Sequence, residues 1–242
     1  MNASGVASRW TDSVLAWGRP SASLLACVYT CEAHRDLLER FYSSEVGNLL
    51  RETPGVRVVE VYADPGVAAS HLDGNSVVLR SNESYQELSI KTHRMIEFSV
   101  RNFGFDNLLK IDITTVMTQA ELGSPEYSER KAMDMAAIAE FMRLADYGRD
   151  YAGFVLHERA GREGAENWAR KKGMEIDYAR LFGDGPMPPF FSGKCYVISR
   201  RFAEFIARFG ADVADEQYRY FLGSEDVMVG RMHERFRSIG PT

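Results

Sequence analysis

Leu24-Leu25-Ala26-Cys27-Val28-Tyr29-Thr30 is an apolar run of strand length. A strand with one wet face alternates polar and apolar residues. A run without that alternation is buried on both faces, as in a parallel sheet covered by helices. Downstream, His34 to Leu50 carries Leu37, Leu38, Phe41, Val46, Leu49 and Leu50 at helical spacing. Val56 to Tyr62 is a second β-branched run, closed by the turn signal Ala63-Asp64-Pro65-Gly66. Ser76 to Leu79 reads as a third strand. Ser84 to Asn102 reads as a long helix, with Ser81, Asn82 or Ser84 as its cap. Strand and helix thus alternate over the first half, which predicts an α/β fold with a mostly parallel central sheet flanked by helices. Ligands in such folds bind at the C-terminal ends of the strands.

The second half is more mixed. Leu108 to Met117 reads as a strand, Ser128 to Leu144 as a helix and Phe154-Val155-Leu156 as a short strand. Gly161 to Gly185 reads as a Gly- and charge-rich loop holding Trp168. Lys171-Lys172 there is a solvated face or part of a mobile loop. Tyr196 to Ser199 reads as a strand leading into a helix over Arg200–Phe209, and a further helix starts near Glu225. The lead-in at 1–20 carries a short helix near Trp10–Trp17, and 21–242 reads as a single domain.

The chain has 242 residues, 45% of them apolar, enough for a sizeable core. Its net charge of -5 argues against a nucleic-acid binder. No run of 18 apolar residues suggests a membrane span. Residues 1–20 lack the order of a signal peptide. Cys27, Cys31 and Cys195 make no disulfide framework, and no His or Cys pair completes a zinc site around the first two. The expectation is a cytoplasmic protein with reduced thiols.

Two segments carry chemistry. In Lys110-Ile111-Asp112-Ile113-Thr114-Thr115, a carboxylate inside an apolar strand needs a partner. It either caps the turn after the strand, or it holds a divalent ion or the ribose of a nucleotide. In Ser224-Glu225-Asp226-Val227-Met228-Val229-Gly230, an acidic pair borders an apolar, Gly-bounded segment. It is either a helix N-terminus or a general base.

Four blocks in order carry a resemblance. They are Val28-Tyr29-Thr30 with His34-Arg35; Tyr85, Leu88, Lys91 and Thr92 followed by Lys110-Ile111-Asp112; Pro188-Pro189-Phe190-Phe191-Ser192-Gly193-Lys194-Cys195-Tyr196-Val197-Ile198-Ser199; and Glu225-Asp226-Val227-Met228-Val229-Gly230. Together they resemble the fringe-like β-1,3-galactosyltransferase family over roughly residues 24–232. The resemblance implies a GT-A-type nucleotide-sugar-binding fold and an inverting hexosyltransferase. The donor would be a nucleotide-sugar, often a UDP-sugar, and the acceptor a glycan or oligosaccharide hydroxyl, as in polysaccharide biosynthesis. Carried over, Asp226 is the catalytic base and Glu225 its neighbour or an acceptor anchor. Thr30, Arg35, Lys91, Lys110 and Asp112 would contact the nucleotide-sugar. Trp168, Gly193 and Tyr196 would line the donor and acceptor pocket.

The chain also departs from the family. Three consecutive acids hold the family's divalent cation, Mn²⁺ or Mg²⁺. Here they read Asp112-Ile113-Thr114, leaving Asp112 as the one candidate ligand. The family's downstream His finds only His233, which reads as a surface helix residue. Cys195 replaces a glycine and should narrow or reshape the donor pocket. Three outcomes stay open: a weakly held metal, replacement by Lys91, Arg35 or Lys194, or an inactive, non-catalytic domain that binds a nucleotide or glycan. Arg231, Arg235 and Arg237 either meet a diphosphate or favour a last helical turn. Met133, Met135 and Met142 read as core filler.

Overall fold

A computed structural model describes residues 21–118, 120–158, 161–171, 176–221 and 223–239. The short helix expected near Trp10–Trp17 lies outside them, as does Lys172.

Strand β1 (Ser21–Tyr29) is followed by helices α1 (Leu37–Ser43) and α2 (Glu45–Glu52). Then come β2 (Val56–Ala63), β3 (His71–Asp73), β4 (Ser76–Leu79), α3 (Leu88–Asn102) and β5 (Gly104–Asp112). Helix α4 (Pro125–Leu144) leads to β6 (Tyr151–Gly153) and β7 (Leu156–His157). Helices α5 (Arg162–Lys171) and α6 (Tyr178–Phe182) precede β8 (Phe190–Phe191) and β9 (Cys195–Ser199). Three helices close the chain: α7 (Arg200–Phe209), α8 (Ala211–Phe221) and α9 (Glu225–Ile239).

Seven strands form the central sheet in the order β3-β4-β2-β1-β5-β9-β6. β4, β2, β1 and β5 pair in parallel, while β3 and β9 run antiparallel to their neighbours. Alternation along β1 explains its apolar run. Leu25, Cys27 and Tyr29 face a core with Met95, Ile96, Phe202 and Met228. Leu24, Ala26 and Val28 face another with Phe41, Leu50, Leu109 and Ile138. Helices therefore cover both faces.

The chain leaves β1 for β2 on one side and returns from β4 to β5 on the other. The direction of winding thus changes between β1 and β5, and their ends open the crevice where ligands bind in such sheets. There Tyr29 is level with Asp112, and across the next pair Lys110 is level with Tyr196.

Several elements differ from the sequence reading. The helix expected over 34–50 breaks at Ser44, whose Oγ accepts from the Gly47 N–H (3.2 Å) and caps α2. β5 ends at Asp112 rather than Met117, because the Asp112 carboxylate turns the chain into a 3₁₀ helix over Ile113–Thr115. Phe154 and Val155 bend between β6 and β7. The loop expected over 161–185 contains α5 and α6, with Ala165, Trp168 and Ala169 on the packed side of α5.

Candidate active site

Glu225 and Asp226 open α9, and the strand-end residues of β5 and the turn before β9 meet them. The centre of the arrangement is Lys110. It is fully buried, and its Nζ donates to Glu225 Oε1 (2.9 Å) and to the Gly193 carbonyl. Asp112 Oδ2 lies 3.7 Å away. Burial works against the ammonium, but Glu225 and Asp112 outweigh it and hold the Lys110 pKa above its ordinary value. The ring of Tyr29 lies 4.7 Å from this nitrogen and 4.4 Å from that of Lys91.

Gly193 explains why a glycine is needed here. A Cβ on it would sit 2.3 Å from Glu225 Oε1, so a side chain here would push that oxygen out of its bond to Lys110. The Gly193 N–H also reaches Asp226 Oδ2 (3.3 Å). Asp226 Oδ1 accepts from Ser224 Oγ (3.0 Å) and the Val227 N–H (2.9 Å). Burial, and then the charge of Glu225, push the Asp226 carboxyl up to about 6 against these bonds. A carboxyl so tuned is half ionised near pH 6 and mostly ionised at neutrality, and it suits a general base.

Asp226 borders a cavity of about 230 Å³. Its walls are mostly apolar and include two aromatic pairs: Trp168 stacks on Phe221, and His157 stacks on Phe190. Ser224 also lines it. The sequence reading missed His157, Phe190 and Phe221 as pocket residues. They come from three separate segments that only the fold unites.

The structure brings Asp226, Glu225, Lys110, Asp112 and Gly193 together, and it places Trp168 in the cavity wall with Asp226. Other expected site residues lie elsewhere. Tyr196 does not line a pocket: it is fully buried in the core beside Tyr151, and its hydroxyl has no partner among the described residues. Thr30 is buried, and its carbonyl accepts from Lys91 Nζ (2.6 Å). Lys91 is itself buried, and both its bonds to the Glu83 carboxylate are 2.8 Å. Burial holds its pKa below the ordinary lysine value. Exposed Arg35 pairs with Glu32 (2.8 Å) and lies over the Tyr62 ring. Lys194 pairs with Asp134 (2.5 Å). Each of the three cations expected to replace a metal therefore already has an acidic partner, though the Arg35 pair is exposed and weak.

Cys195 narrows no pocket, because it faces the core behind the sheet with Ile111 and Val197. There burial pushes its thiol up to about 12. His233 is half-buried on its helix. Its ring packs edge-on against Tyr151 and Phe202, and burial holds its pKa down. Arg231 pairs with Glu216 and Gln217.

The donor set at Asp112 does not fit a divalent ion. Its Oδ1 accepts from the Thr114 N–H (2.8 Å) and hydroxyl (2.7 Å), and Lys110 stands beside Oδ2. Among the described residues no three His, Cys, Asp or Glu side chains form a group that could hold a metal. No helix among them is long and apolar enough to cross a membrane.

No protein-family model matches the chain, and no curated protein matches it in sequence. Among solved structures it is similar to apo mouse xyloside xylosyltransferase 1, at 10% identity and a TM-score of 0.31. That alignment covers 90% of this chain and 83% of the other. At that score the two share no more than a loose likeness in outline.

Proposed function

We propose that the chain is an inverting glycosyltransferase on a GT-A-type fold, with Asp226 as its general base. The donor is a nucleotide-sugar, a UDP-sugar in the first instance, and the acceptor is a glycan hydroxyl. One observation carries the reading: a carboxyl pushed up to about 6 stands in the wall of an aromatic-lined cavity, beside a winding reversal of the sheet. Flat aromatic walls with a few polar groups suit a sugar ring. In the reaction the acceptor oxygen bonds to the anomeric carbon as the carbon–phosphate oxygen bond breaks. The acceptor proton passes to Asp226, and the nucleoside diphosphate leaves with the bonding pair. Glu225, held by Lys110, anchors the site beside the base. Nothing in this scheme passes through a metal at Asp112, and we propose a metal-independent reaction.

The test is transfer or donor hydrolysis over a panel of UDP-sugars, with and without EDTA. Asp226→Asn should lower turnover by about 10²–10⁴, the usual contribution of a general base. Full activity in that variant would remove the assignment. Loss of activity in EDTA would remove metal independence.

A second reading is a non-catalytic domain that binds a nucleotide or glycan. It is favoured by the pairing of Lys91 with Glu83 and of Lys194 with Asp134, which leaves these two cations committed. Calorimetry that shows UDP binding, in a chain that turns over no donor, would select it.

A further inference from the structure

A second cavity lies beyond the end of β5, between α1 and α4. Its volume is about 230 Å³, several times the roughly 30 Å³ share of one water. Arg40 of α1 and Lys131 and Ser128 of α4 line it, with Thr115 and Val116 from the turn after Asp112. Its electrostatics differ from those around Lys91 and Lys194. Arg40 and Lys131 are half-buried, and neither has an acidic partner within ion-pair reach among the described residues. Lys131 spends one of its three donors on the Thr114 carbonyl. Glu121, whose charge Lys131 stabilises, turns its Oε2 to the N–H and hydroxyl of Thr118 (2.9 and 3.0 Å).

Two half-buried cations and Ser128 around a small cavity suit a compact oxyanion such as phosphate.

We propose that this cavity binds a phosphate or diphosphate group through Arg40 and Lys131, with Ser128 as a neutral donor. It rests on the glycosyltransferase reading only for the source of that group. Under that reading the cavity supplies positive charge to a departing diphosphate three residues past Asp112. The charge comes from side chains, not from the three-acid metal motif.

Inorganic pyrophosphate is the probe, titrated by calorimetry into the full chain and into Arg40→Gln and Arg40→Lys. Arg40→Gln should weaken binding by roughly tenfold or more, the worth of one charge-assisted bond pair. Arg40→Lys should keep most of the affinity, which a merely structural role for Arg40 would not predict. Unaltered affinity in Arg40→Gln, or no pyrophosphate binding at millimolar concentration, overturns the proposal. UDP added as competitor then separates the sources. Displacement of pyrophosphate assigns the group to the nucleotide. Simultaneous binding keeps the phosphate site, assigns it to another ligand, and counts against this cavity's role in donor departure.

Discussion

Gly193 and Asp226 show how much one backbone position can organise. The missing Cβ of Gly193 admits Glu225, its carbonyl accepts from Lys110, and its N–H holds Asp226. The sequence carried the acidic pair and the glycine as neighbours of apolar strands, and both are in the site. It could not carry the pairing of Lys91 with Glu83 or Lys194 with Asp134, because each depends on segments brought together by the fold. A consequence concerns stability. The ordinary Asp value is 3.8, and the folded protein raises it to about 6. The native state thus holds this proton more tightly than the unfolded chain. The stability it contributes is complete below 3.8 and is lost as pH rises through 6, so the ionised carboxylate burdens the fold at neutrality. Asp226→Asn removes that burden but gives up an acceptor for the Gly193 N–H. We expect it to be more stable than the parent by about 1–2 kcal/mol at pH 7 and no more stable near pH 4. Urea denaturation at the two pH values measures this. A gain that is the same at both would mean that the carboxyl is not raised.

Among the elements, the regular ones were legible and the interrupted ones were not. β1, β2, β4, α3 and α7 followed from apolar runs and helical spacing. α5 was hidden by its charges and Gly164, although Ala165, Trp168 and Ala169 keep the spacing of one helical face. α8 likewise carries Val213, Ala214, Gln217 and Phe221 on its buried side. β5 was drawn too long because β-branched residues continue past it, while the turn comes from Asp112's own hydrogen bonds. α5 matters for the candidate site because it brings Trp168 onto Phe221 and closes one wall of the cavity. If that wall holds the acceptor, Trp168→Ala should raise the acceptor KM by about tenfold or more while kcat and donor hydrolysis change little. Initial-rate kinetics with the acceptor varied decide it. An unchanged KM would place the acceptor elsewhere.

At the scale of the whole molecule, the order of strands fixes where chemistry can occur. β1 is central, helices bury both of its faces, and the winding reverses between it and β5. The alternation of strands and helices foretold the sheet. The antiparallel insertion of β9 beside β5 was not foretold, since a short strand does not reveal its direction. Yet that insertion brings Gly193 to Lys110, and so completes the candidate site at the β1–β5 crevice. If the crevice receives a nucleotide, the native state gains stability by mass action while the unfolded chain does not. UDP at about 100 times its Kd should add about 2.7 kcal/mol. In a chain of this length that is a rise in Tm of roughly 5–10 °C. With charge supplied by side chains, the rise should be equal in EDTA and in Mn²⁺, and thermal unfolding in the two buffers compares them directly. A shift that appears only with Mn²⁺ would return the metal to Asp112. A shift with pyrophosphate but none with UDP would leave an anion-binding α/β protein without a nucleotide donor.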